Sequence, residues 1–205
     1  MASPSGKNAV YQLKVTLKHI RPPIWRRVLV PAEMSLADLH DVIQMAMGWC
    51  DGHLHAFRAG GREYSLPDPI NDDLFGAPEI DERSAVLRAV ARHEKDKLTY
   101  EYDFGDGWEH EVVVEKILPR EQGKDYPVCV TGRRACPPED CGGPWGYGAF
   151  LEAIANPHHP DHKEMTEWIG DDFDPGAFDL QAVNERLAAL KLGRRRRPRR
   201  DIFTE

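Results

Sequence analysis

Two alternating stretches joined by a three-residue turn constrain this 205-residue chain more than any other feature. Residues 98–104, Leu-Thr-Tyr-Glu-Tyr-Asp-Phe, and residues 108–118, Trp-Glu-His-Glu-Val-Val-Val-Glu-Lys-Ile-Leu, send apolar and polar side chains to opposite faces with a period of two. Gly105, Asp106 and Gly107 between them are the residue types a tight reversal prefers. The result is a hairpin with one face to bury. Such a pair is marginal alone in water, so it needs further strands and a covering layer.

The rest of the chain supplies both. Residues 11–18 alternate, with Leu13, Val15 and Leu17 expected to point inward, and residues 24–30 read as a second strand that stops at Pro31. Ser35 is a good helix N-cap with Asp38 three residues on. Leu36, Leu39, Val42, Ile43, Met45 and Met47 then recur at helical spacing up to Gly48. Residues 53–58 and 62–66 form a second hairpin about Gly60 and Gly61, whereas residues 67–82, rich in Pro, Asp and Gly, read as a surface loop. Residues 84–93 are ambiguous between helix and strand. Residues 119–144 read as a long ordered loop, and helices are expected over 147–156, 162–169 and 179–192, the last with a stripe of Leu180, Val183, Leu187 and Leu190.

Strands early and helices late, without strict βαβ alternation, predict an α+β fold: antiparallel strands and hairpins packed against several helices in a single domain. The expected division is a disordered N-terminus over 1–9, the domain over 10–192 and a basic disordered tail over 193–205.

Charge and apolar content exclude some classes of function. With 41% hydrophobic and 30% charged residues and no apolar run near the ~20 residues of a membrane span, a membrane partner is not expected. The first eight residues lack the basic start and apolar run of a secretory signal, so a cytoplasmic protein with reduced Cys50, Cys129, Cys136 and Cys141 is the expectation. The net charge of −7 is uneven, because Arg194, Arg195, Arg196, Arg197, Arg199 and Arg200 cluster in the tail. Without these six charges the rest of the chain stands at about −13, which disfavours nucleic acid as a partner of the domain itself.

Four segments show extended likeness to a known family. Residues 100–112, Tyr-Glu-Tyr-Asp-Phe-Gly-Asp-Gly-Trp-Glu-His-Glu-Val, and residues 132–147, Gly-Arg-Arg-Ala-Cys-Pro-Pro-Glu-Asp-Cys-Gly-Gly-Pro-Trp-Gly-Tyr, resemble the hallmark blocks of the plasmid pRiA4b open-reading-frame-three family. The opening residues 11–28, with Ile-Arg-Pro-Pro-Ile-Trp-Arg-Arg, and the segment from Gly48-Trp49 through His53-Leu-His-Ala-Phe are similar to its earlier blocks. The likeness spans residues 11–190 and leaves the basic tail outside. It implies an association with plasmids or mobile elements and no particular reaction. No serine-recombinase pattern accompanies it.

Several residues have chemistry to offer. Cys136 and Cys141 have a Cys-x4-Cys spacing that can place two thiolates on one cation, with His53, His55 and His110 as candidates to complete a zinc site. The same side chains equally serve as buried thiols and hydrogen-bonded imidazoles. Asp103 and Asp106, with Glu109 and His110 behind them, read either as metal ligands and acid/base groups or as turn residues that bond their own backbone. Trp108 suits a core or rim aromatic. Glu139, Asp140, Trp145 and Tyr147 surround Gly142, Gly143 and Gly146, whose close backbone approach leaves a helix N-terminus able to take an anion or simply to pack. Arg21, Arg26 and Arg27 read as a solvated strand face. The arginine tail suits salt-sensitive nucleic-acid binding, or contact with an acidic partner that includes the body of a neighbouring molecule. Three readings follow: a binding module with a protein partner, a metal-dependent enzyme of zinc type, and a nucleic-acid binder acting through its tail.

Overall fold

A computed structural model of the chain describes residues 8–67, 80–170 and 173–193. Most of the N-terminal segment, the middle of the 67–82 loop and the six tail arginines therefore lie outside the described residues.

Eight strands form one sheet: β1 (Ala9–Leu17), β2 (Trp25–Pro31), β3 (His55–Ala59), β4 (Arg62–Ser65), β5 (Ile80–Asp81), β6 (Lys97–Tyr102), β7 (Trp108–Pro119) and β8 (Val128–Arg133). Their order is β5-β4-β3-β6-β7-β1-β2-β8, and every pairing is antiparallel except β4 with β5. The period-two pattern sorts the two faces. Leu13, Val15, Leu17, Leu98, Tyr100, Tyr102, Trp108, Val112 and Val114 are all buried on one side. The other side carries ion pairs between strands: Lys97 with Glu111, Lys18 with Glu109 and Arg58 with Glu101 join neighbours, and Arg27 reaches across β1 to Glu115. The sheet is thus apolar inside and charged outside, as antiparallel sheets with one covered face tend to be.

Helix α1 (Leu36–Met47) lies on the apolar face and starts where its cap residues place it. The Ser35 hydroxyl accepts the amide of Asp38 at 3.0 Å, and Gly48 ends the helix in a left-handed conformation (φ +100°). The ambiguous stretch holds a single helical turn, α2 (Leu87–Val90). Three helices follow the sheet: α3 (Gly143–Ala155), α4 (His162–Ile169) and α5 (Leu180–Ala188). The fold is a single α+β domain, as the pattern predicts.

Four local expectations need correction. Strand β8 occupies part of the segment expected to be a loop. It is short and begins just after Pro127, so its pattern is weak, yet it pairs with β2, and Asn184 of α5 exchanges two hydrogen bonds with the backbone of Cys129. Helix α3 starts four residues before the expected Tyr147, because Pro144 falls in its first turn, where a missing N–H costs nothing. Arg26 is 3% exposed rather than solvated. It points to the covered face, donates to the carbonyls of Trp25, Ala46 and Arg133 and lies over the Phe178 ring. Leu180 at the start of α5 is exposed, so that helix buries only Val183 and Leu187.

The β6–β7 turn and the start of α3 touch backbone to backbone. A Cβ on Gly143 would sit 2.2 Å from the carbonyl oxygen of Asp106, and one on Gly146 would sit 2.0 Å from that of Cys141. Gly143 also has φ +69°, a region costly for other residues. Gly143→Ala and Gly146→Ala should each lower stability by roughly 2–4 kcal/mol, or about 5–15 °C in melting midpoint. Gly148→Ala, in the same helix with nothing within 4 Å, should be neutral or stabilising by up to about 1 kcal/mol. Thermal melts of the three variants check the contrast.

Candidate functional site

Both hallmark blocks meet at one end of the sheet, held by carboxylates. At the β6–β7 turn the Asp103 side chain accepts the amides of Gly105 at 3.0 Å and Asp106 at 3.3 Å, so Asp103 performs the turn chemistry. Asp106 instead reaches across to α3, where its carboxylate accepts the amide of the N-cap residue Gly142 at 3.2 Å. The anion expected at that helix N-terminus is thus the protein's own. Glu139 fixes the intervening loop. It accepts the hydroxyl of buried Tyr102 on one oxygen, and on the other the amide of Cys50 at 3.1 Å and its thiol at 2.6 Å. The indole of Trp49 donates to the carbonyl of Pro137 at 3.0 Å. Glu139 holds the Cys50 thiol above its ordinary pKa, and Tyr102 is raised by burial and then by Glu139.

Two groups of potential metal ligands result. On the surface, His53 faces Asp103 with Nδ1 at 3.6 Å and Asp140 with Nε2 at 3.1 Å. In the interior, the rings of His40 and His55 stack with centroids 3.5 Å apart. Nε2 of His40 lies 2.9 Å from Asp51, Nδ1 lies 2.8 Å from the Tyr100 hydroxyl, and Nε2 of His55 lies 3.0 Å from both oxygens of the fully buried Glu82. Gln44 donates to the same Tyr100 hydroxyl at 2.9 Å, so the Tyr100 proton points to His40 Nδ1 in the arrangement that satisfies every group. The parallel stack suits the inner pair poorly to one shared ion, because imidazole lone pairs lie in the ring plane. His53, Asp103 and Asp140 suit a hard or borderline cation better, one imidazole and two carboxylates being an accepted donor set.

Asp140 also lines a groove of about 500 Å³ between α3 and α4. Gly146, Ala149 and Phe150 line it from α3, Glu164, Met165 and Trp168 from α4, and His159 and Asp161 from the link between them. No residue of α4 is fully buried, which leaves its apolar side half covered and Trp168 48% exposed. Nearby in sequence to the His53 cluster, Leu54, Phe104 and Trp145 are exposed, Trp145 by 91%.

A family model for plasmid pRiA4b ORF-3-like proteins matches residues 9–182. The chain belongs to this family. Among its relatives, the uncharacterized protein y4hQ of Sinorhizobium fredii is 41% identical over 194 residues, covering 94% of this chain and 97% of that protein. A crystal structure of MM3350 from Methanosarcina mazei Go1, a protein of unknown function, matches with a TM-score of 0.77 and 38% identity over 86% of this chain and 98% of its own.

The other family-block residues take separate places. His53 and His55 go to different clusters, because β3 begins only at His55 and His53 precedes it on a bend. Among the described residues neither ligand group contains a cysteine, and all four cysteines are free. Burial raises the Cys136 thiol well above its usual range, against the pull of Arg26, and lifts Cys141 to about 12. Both stay protonated at neutral pH, the unreactive form of a cysteine. Trp108 is a core residue, fully buried beside Trp49. Tyr147 is buried, its hydroxyl pushed up to about 12 by that burial and without a partner among the described residues. His40, Asp51 and Glu82 escaped sequence reasoning. The available signal was His40 and Gln44, two polar residues one helical turn apart within the apolar stripe of α1.

His110 is fully buried, with Nδ1 3.1 Å from the carbonyl of Trp108, which fixes the proton on Nδ1. Burial lowers its pKa from 6.5 to about 4. A depressed folded-state value favours neutral imidazole, so its stabilising contribution is whole above about pH 6.5 and is lost as pH falls toward 4. The loss should reach roughly 3 kcal/mol. Imidazole NMR should show His110 neutral down to about pH 4, and titration near 6.5 would contradict the burial account.

Proposed function

We propose that the protein is a binding module for a basic, arginine-containing protein segment, seated in the groove between α3 and α4. One observation carries this reading: the groove lining combines Asp140, Asp161 and Glu164 with Phe150, Met165 and Trp168 and contains no lysine or arginine. Guanidinium groups pair with carboxylates in a fork and stack on indole faces, so this lining matches arginine in both respects. The volume, about 500 Å³, lies within the range of built ligand sites. The protonated state of the two loop thiols supports binding over cysteine chemistry. A plasmid or other mobile element as the source of the partner is the context that the family name supplies.

A second reading rests on His53, Asp103 and Asp140, whose ligand atoms lie within 4.8 Å of one another: a divalent, zinc-type centre for metal-dependent chemistry at the head of the same groove. No helix among the described residues is long and apolar enough to cross a membrane.

The test is calorimetric titration with an arginine-rich peptide, using a full-length protein in which the six tail arginines are replaced by glutamine. Binding should be weakened at least ~10-fold by Asp161→Asn with Glu164→Gln, and roughly 5-fold or more by Trp168→Ala, with salt opposing it. Equal affinity in all three proteins, or no binding, would reject the groove as the site. Zinc titration of the His53→Ala variant separates the second reading, which requires stoichiometric metal in the parent and its loss in the variant.

A further inference from the structure

The chain carries a segment of the kind the groove suits. Residues 194–200 hold six arginines and directly follow Gly193, the last described residue. The Gly193 amide donates to Asp38 Oδ1 at 2.9 Å, so the run leaves the fold beside the first turn of α1. The groove lies toward the opposite end of that helix. The twelve residues of α1 span about 18 Å. Just beyond its end Trp49 bonds Pro137, three residues before the groove residue Asp140.

Seven residues stretched taut reach about 25 Å at most, which brings only the last arginines of the run near the groove of their own molecule. The groove of another molecule carries no such restriction. Residues 193–205 carry +4 (six arginines less Asp201 and Glu205), so the body over 1–192 stands at −11 (−7 minus 4) and repels its own copies, and a basic tail laid on the neighbour's acidic groove offsets that repulsion. We infer that the arginine run of one molecule seats in the α3–α4 groove of a second copy. This rests on the reading of the groove as a site for basic segments and names its occupant. The arginines pair with Asp140, Asp161 and Glu164 and stack on Trp168, and reciprocal exchange of the two tails closes a two-fold dimer.

The experiment is sedimentation velocity on full-length protein across concentration at low and high salt, with two full-length variants. In one, the six tail arginines are replaced by glutamine. The other carries Asp161→Asn and Glu164→Gln. The parent should dimerise at low salt and lose at least ~10-fold in association at high salt. Each variant alone should remain monomeric, and an equimolar mixture should recover a heterodimer, since one supplies a groove and the other a tail. A parent that is monomeric throughout, or a dimer that persists in either variant, overturns the inference. Peptide titration of the tail variant separates the two proposals: binding there with a monomeric parent removes the second copy and leaves the groove reading intact, while no binding removes both. Tail-dependent binding of duplex DNA by a monomeric parent overturns the inference in favour of nucleic acid.

Discussion

The carboxylate of Glu139 is the interaction on which the site end of the molecule depends. It brings together three segments distant in sequence: the Tyr102 hydroxyl at the end of β6, the backbone and thiol of Cys50 just past α1, and its own loop before α3. A buried phenol needs a partner, and hydrogen bonds to a charged acceptor are stronger than neutral ones. The loop is therefore seated from the core outward. Asp106 completes the seating by holding the amide at the head of α3, and glycines at 143 and 146 permit the approach. With the loop fixed in this way, Asp140 faces both His53 and the groove.

This arrangement separates the polar chemistry into an inner and an outer part. The stacked His40 and His55, with Tyr100, Asp51 and Glu82, lie between α1 and the sheet, where buried charge must be compensated within the fold. The outer part, His53, Asp103, Asp140 and the acid-lined groove, meets solvent and has charge to offer a ligand. The cysteines belong to neither ligand group. Partial burial of Cys136 and Cys141 raises both thiols and keeps them protonated, so the Cys-x4-Cys spacing here supports packing rather than thiolate chemistry.

Much of the fold was legible because period and punctuation agreed. The β6–β7 hairpin, the Ser35 cap of α1 and the inward Leu13, Val15 and Leu17 follow from local pattern alone. Strand β8 was not legible, since an edge strand of six residues depends on β2 and on Asn184 rather than on its own alternation. Arg26 misled for a related reason: three carbonyl acceptors and the Phe178 ring, none of them near in sequence except Trp25, make its burial tolerable. At the site, the segments that converge were legible from the family blocks, but the pairing of side chains was not. Asp103 bonds the turn's own backbone, whereas Asp106 finds its partner 36 residues away, beyond the reach of local pattern. Asp161, Glu164 and Trp168 carry no motif, and only the packing of α4 against α3 makes them a groove.

The most direct test of this account is a double-mutant cycle between Tyr102→Phe and Glu139→Ala, read by denaturant unfolding. If the Glu139 carboxylate seats the loop through Tyr102, the two losses should be coupled by about 1–2 kcal/mol. Additive losses, with coupling within about 0.3 kcal/mol of zero, would contradict it and leave the loop held by packing alone.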